Sequence, residues 1–210
     1  MTKILEEAGA SQSPLHTGTR GVPGPVACLQ TLSNRIAGVE AWAAGLTVFG
    51  IFCLLLGNVV SRSLGNPLIS TDELAVFLMA WAAFIGASLG LARRQHIAIT
   101  LLPDALRPAA RRRLAILVDV ALLVFLAVLS VQIWRWFDPV GVLQAASIED
   151  FTASTFNFIY QEPTVTLGMH KVWFWLVMPV FCVTATIHVL ASLAGRLTGV
   201  ERAAEQPQRG

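Results

Sequence analysis

Four long apolar runs dominate the chain: Ala41 to Val60, Leu74 to Ala92, Leu114 to Trp134 and Val172 to Ala194. Each approaches the ~20 residues that a helix rising ~1.5 Å per residue needs to cross a bilayer core ~30 Å thick. Backbone groups in lipid must find partners within the segment, so the runs predict helices and not strands. Interruptions are few: Asn58 is the strongly polar residue near the end of the first run, Asp119 is the single acid of the third, and the fourth is interrupted by Pro179 and carries His188. The pattern predicts an all-α integral membrane protein with four transmembrane helices. A flexible tail is expected over 1–35, a membrane domain over 36–196 with spans at about 41–60, 74–92, 114–134 and 172–194, and a second tail over 197–210. Gly9 to Pro25 is rich in Gly, Pro, Ser and Thr, which bury too little apolar surface to fold. The first 35 residues carry no apolar core of a cleavable signal peptide, so the first span is read as the insertion signal.

Composition agrees. Hydrophobic residues make up 55% and charged residues 13%, about half the charged share of a soluble domain. A net charge of +2 implies no polyanionic partner, and no nucleic-acid binding is expected. Cys28, Cys53 and Cys182 have no metal-ligand spacing, so neither a metal site nor a disulfide framework is expected.

Lys and Arg distribution sets the expected orientation. Lys3, Arg20 and Arg35 precede the first span; Arg93, Arg94, Arg107, Arg111, Arg112 and Arg113 join spans two and three; Arg196, Arg202 and Arg209 follow the fourth. The opposite face holds only Arg62, Arg135 and Lys171. The positive-inside rule then places both termini in the cytoplasm. Trp134 and Trp136 end span three and Trp173 and Trp175 begin span four, as expected of an outer aromatic belt; Trp42 marks the inner interface. Trp81, within span two, is expected to pack against a neighbouring helix.

The connections carry further information. Ser70-Thr71-Asp72-Glu73 has capping-box spacing at the start of span two, and Arg62 at the end of span one is placed to pair with Glu73 across the hairpin. This patch reads either as a solvated cap or as a fixed polar contact for a partner protein. Ala82, Gly86 and Gly90 form a small-residue stripe that permits close helix approach, within the bundle or to another chain. After Arg93-Arg94-Gln95-His96-Ile97, Pro103 suits the start of a short amphipathic helix between spans two and three, with Leu102 and Leu106 on the inner leaflet. His96 reads as a surface histidine. The connection 135–171 mixes Asp138, Glu149, Asp150 and Glu162 with Phe151, Phe156, Phe158 and Tyr160; it reads as an outer docking patch or as aromatics dipping into the interface.

Within the spans, Asp119 and His188 lie at similar depths, roughly 7.5 and 9 Å from the inner ends by helix rise. Intramembrane ionisable residues are costly, and the two are expected to pair or share a water. Neither lies near the midplane, where a carrier's carboxylate or broken helices would be expected. A haem anchor would need facing histidines, and His16, His96, His170 and His188 are scattered. No catalytic residues, no metal and no cofactor are expected, which points to a non-enzymatic subunit of a larger assembly.

The stretch from Arg62 through Asp72-Glu73-Leu74 and Ala80-Trp81-Ala82-Ala83-Phe84-Ile85-Gly86-Ala87 to Arg93-Arg94-Gln95-His96-Ile97 resembles the small membrane subunit (DctQ-type) of tripartite ATP-independent periplasmic (TRAP) transporters. The Glu40-containing approach to span one is similar to that family as well. The resemblance implies a scaffold subunit in a bacterial inner membrane, within a complex that imports organic acids using an ion gradient. It implies a large membrane subunit that carries substrate and a periplasmic solute-binding protein that delivers it. Arg62, Glu73, Trp81, Gly86, Arg93 and His96 carry over as candidates for structure and partner contact, beside Asp72, Gly90, Asp119 and His188 from the residues themselves. The alternatives are a membrane-anchor subunit of a respiratory or other oxidoreductase complex, and a small self-sufficient exporter.

Overall fold

A computed structural model describes residues 24–93 and 107–198. Among these residues the chain is helical, with seven helices: α1 Gly24–Ser63, α2 Ile69–Arg93, α3 Pro108–Phe137, α4 Pro139–Gln144, α5 Ile148–Thr155, α6 Val172–Trp175 and α7 Val177–Thr198. They supply four segments long and apolar enough to cross a membrane: Gly24–Ser63, Ile69–Arg93, Ala109–Gln144 and Val172–Thr198. All four expected spans lie within them.

Helix α1 corrects the expected tail boundary. It begins at Gly24, so residues 24–35 are helical, and its 40 residues span about 60 Å, twice the bilayer core. The α1–α2 hairpin closes through Gly65 at φ 78°, where the amide donates to the Arg62 carbonyl at 3.1 Å. Left-handed backbone there suits a residue without a Cβ.

The connection 135–171 is structured. Asp138, left-handed at φ 38°, donates its amide to the Trp134 carbonyl at the end of α3 and accepts from the Gly141 amide at 3.0 Å to cap α4. A Cβ at Gly141 would overlap the Asp138 carboxylate, so one aspartate serves two helices only because the residue three positions on is glycine. Ser147 caps α5 by accepting from the Asp150 amide at 3.1 Å. Asn157 Nδ2 donates to the Trp136 carbonyl and Tyr160 Oη to the Phe137 carbonyl, each at 2.6 Å, tying the loop to the end of α3. Burial, then the Asp138 charge, pushes the Tyr160 phenol up from its ordinary value.

Helix α7 is central and packs on α1, α2 and α3. Leu126, Ala185 and Val189 form one core cluster, and Ile133, Phe137, Ile159 and Cys182 form a second. The aromatic belt gathers at the end of the second cluster, where the Trp136 and Trp175 rings meet edge to face at 5.9 Å. Elsewhere the surface is apolar: Trp42, Leu46, Phe49 and Phe52 on α1 are all exposed. That is the surface lipid or another membrane subunit requires.

Candidate functional site

The structure gathers polar residues at three levels of the bundle. The first is a buried chain joining α1, α2 and α7. Ser33 and Glu40 stand seven residues apart, two turns along one face of α1. His188 on α7, 2% exposed, lies between them, with Nδ1 2.7 Å from Ser33 Oγ and Nε2 3.1 Å from Glu40 Oε2. Ser88 on α2 donates to Glu40 Oε1 at 2.6 Å. Its single hydroxyl hydrogen is thereby used, so the neighbouring Thr184 hydroxyl at 2.8 Å is the donor to Ser88. With the carboxylate ionised, Nε2 carries the proton between His188 and Glu40. Both carboxylate oxygens are occupied, and three helices are fastened through one side chain.

The second level joins α3 and α7. Asp119 Oδ2 accepts from Arg196 Nε at 2.8 Å and from Ser192 Oγ at 3.0 Å. Arg112 Nη2 donates to the Arg196 carbonyl at 2.8 Å, capping the end of α7. The expected Asp119–His188 pair therefore does not form. The two residues have similar depth, but His188 turns from α7 toward α1, whereas Asp119 on α3 meets Ser192 and Arg196, further along α7.

The third level is at the opposite end. Arg62 Nη2 pairs with Asp72 Oδ2 at 2.7 Å, and Asn58, 5% exposed, accepts from Arg62 Nε while donating to Asp72. The arginine's partner is thus Asp72 and not Glu73. Helix α2 starts at Ile69, so Ser70 sits inside it and the expected capping box is absent. Glu73 instead reaches the connection 135–171, accepting from the Val165 and Thr166 amides at 2.7 Å each and from Thr166 Oγ1 at 2.6 Å. Those amides belong to a tight turn closed by Thr164 N–H to the Met169 carbonyl at 2.7 Å, with Gly168 at φ 69°.

Trp81 packs as expected: its indole N–H donates to the Phe174 carbonyl at 3.0 Å, beside the stacked Phe77 and Phe174 rings at 4.1 Å. The break between α6 and α7, three residues before Pro179, lies just beyond that carbonyl. Added Cβ atoms at Gly86 and Gly90 would meet nothing within 4 Å, so among the described residues this stripe makes no close contact. Arg93 is exposed in the last turn of α2. His96 and most of the expected amphipathic helix lie outside the described residues. Sequence reasoning missed Ser33, Glu40, Ser88, Thr184 and Ser192 as site members, and of these Glu40 and Ser33 carried one usable signal. Their spacing of seven puts both on one helical face, provided α1 begins early enough to include Ser33.

Four membrane-spanning helices, with buried polar groups bonded to one another, define a multi-pass membrane protein held together by interhelical polar contacts. The family profile "Tripartite ATP-independent periplasmic transporters, DctQ component" matches residues 51–199, and the chain belongs to that family, a transporter component and not an enzyme. The C4-dicarboxylate TRAP transporter small permease protein DctQ of Vibrio cholerae is 36% identical over 103 residues, 48% of this chain and 44% of that protein. The sialic acid TRAP transporter permease protein SiaT of Haemophilus influenzae is 28% identical over 93 residues, 42% of this chain and 15% of that protein. The matched stretch spans less than half the length of either relative.

Proposed function

We propose that the chain is the small scaffold subunit of a TRAP complex in a bacterial inner membrane, with both termini in the cytoplasm. In this reading a large membrane subunit imports the substrate, an organic acid, by symport with an ion that runs down its own gradient, and a periplasmic solute-binding protein delivers the substrate. The domain limits 36–196 follow, extended at the start to include the helical residues from Gly24. The two relatives named for sialic acid and C4-dicarboxylates both point to carboxylate cargo.

The observation that carries the scaffold role is the engagement of Glu40 and Asp119. Each is bonded to residues of α7 in its own chain, Glu40 to His188 and Asp119 to Arg196. A carboxylate that binds cargo or a coupling ion must exchange partners during the cycle, whereas these fasten helices together. Broad exposed apolar faces on α1 and α3 suit contact with lipid and a larger membrane subunit.

Reconstitution tests the reading. Vesicles holding this chain, its large partner and the binding protein are expected to accumulate an organic acid when an ion gradient is imposed, and vesicles holding this chain alone are not. Accumulation by the chain alone would overturn the scaffold role. A haem spectrum, or co-purification with a flavin or iron–sulfur subunit, would replace it with the oxidoreductase anchor.

A further inference from the structure

A groove of about 440 Å³ opens between α1, α2 and α7. Its walls are apolar and aromatic, with Ala43, Trp81, Phe84, Val180 and Phe181 among them. Glu40, Ser88 and Thr184 also border it, but their oxygens are turned to one another and to His188. Arg35 stands at the end nearer the start of α1. It is exposed and has no hydrogen bond or ion pair among the described residues. From Arg35 to Ala43 the groove follows α1 for about 12 Å by helix rise. One end is therefore cationic, and a hydrophobic slot runs from it along the helix axes, as in the head and chain of a lipid.

We propose that this groove holds one acyl chain of an anionic phospholipid whose phosphate is bound by the Arg35 guanidinium. The planar fork of an arginine suits phosphate oxygens, and a cationic side chain at the membrane surface favours anionic lipid over zwitterionic lipid. Size argues against a partner helix. At about 5.4 Å per turn, the ~12 Å that the groove follows along α1 would seat only about two turns of a helix. The site concerns lipid and does not depend on the scaffold role. With the cytoplasmic orientation proposed above, the leaflet is the inner one.

The test is photo-crosslinking of the full chain in nanodiscs. Phosphatidylglycerol and phosphatidylcholine carrying a diazirine in the acyl chain are compared, and the labelled residues are read by mass spectrometry. Labelling at Phe84, Val180 and Phe181 is expected to be about fivefold stronger from the anionic lipid. Arg35→Gln should bring the two lipids to parity there. Ala43→Phe should abolish groove labelling from either lipid while Phe49 and Phe52 on the lipid-facing side stay labelled, which reports an inserted helix. Labelling no denser in the groove than at Phe49 and Phe52 would overturn the proposal, as would a headgroup preference unaffected by Arg35→Gln. Protein cross-links to the large subunit in place of lipid at Phe84 and Phe181 in the co-purified complex would also overturn it and assign the groove to a partner helix.

Discussion

Helix α1 buries only Ser33, Glu40 and Asn58 along 40 residues, all three of them polar. Helix α7 buries Val177, Cys182, Ala185, Val189 and Ala191 together with His188, Ser192 and Gly195 in 22 residues. The two helices lie against each other, but they are held differently. Helix α7 sits in a packed core of the kind soluble proteins use, with small residues admitting close neighbours; Gly195 leaves room for Gln30, whose Nε2 would stand 2.8 Å from a Cβ there. Helix α1 presents its large apolar side chains outward and turns its few polar ones inward. Lipid tails are as apolar as leucine, so burying more leucine between helices gains little. A hydrogen bond in a water-poor interface gives a peripheral helix one fixed rotation and depth, and three such points along α1 do so.

The sharpest way to break this contrast is Glu40→Ala. It leaves His188 and Ser88, 2% and 1% exposed, without their acceptor, at about 1–3 kcal/mol for each buried polar group left unmade. A loss of about 3 kcal/mol is expected in detergent unfolding of the purified chain, and Glu40→Gln, which keeps volume and one acceptor, should lose about 1 kcal/mol. Ala185→Leu tests the other helix. Ala185 is wholly buried, and overpacking should cost about 2 kcal/mol in the same measurement. Trp81→Phe keeps an aromatic ring but removes the donor to the Phe174 carbonyl, for an expected loss of about 1 kcal/mol. Exchanging Arg62 and Asp72 should be milder, because the pair is about half exposed. Either single reversal is expected to cost at most about 1 kcal/mol, and the double exchange should recover part of it. Smallest is Leu46→Ala on the outward face of α1, 71% exposed, with a change under about 0.5 kcal/mol. A large loss there would mean that α1 is held by apolar packing after all.

The vertical order of the polar levels was partly legible and their pairing was not. Arg62 and the acidic start of span two were placed at one end of the bundle from sequence, yet the arginine's partner proved to be Asp72, because Asn58 one turn below it bridges the two. Glu73 was then left to bind the turn at Val165 and Thr166, more than 90 residues away in sequence. Asp119 and His188 were matched by depth alone, and depth fixes only one coordinate. Rotation of α7 turns His188 toward α1 and Arg196 toward α3, two turns apart on the same helix. The start of α1 was misplaced for a related reason. Apolar run length measures the lipid-crossing part of a helix and is silent about helix that continues past it, where Ser33 and Arg35 lie.

What the sequence determined by itself was the number of membrane helices and the family motif between Arg62 and Arg93. Lipid forces every apolar run of that length to satisfy its own backbone, so the first is a local consequence of composition, and the second is a local string of residues. Which helix face meets which, and hence which carboxylate holds which partner, was decided only in the tertiary structure. Those choices depend on helix rotation, relative depth and the reach of single side chains, and no stretch of one helix encodes the position of another.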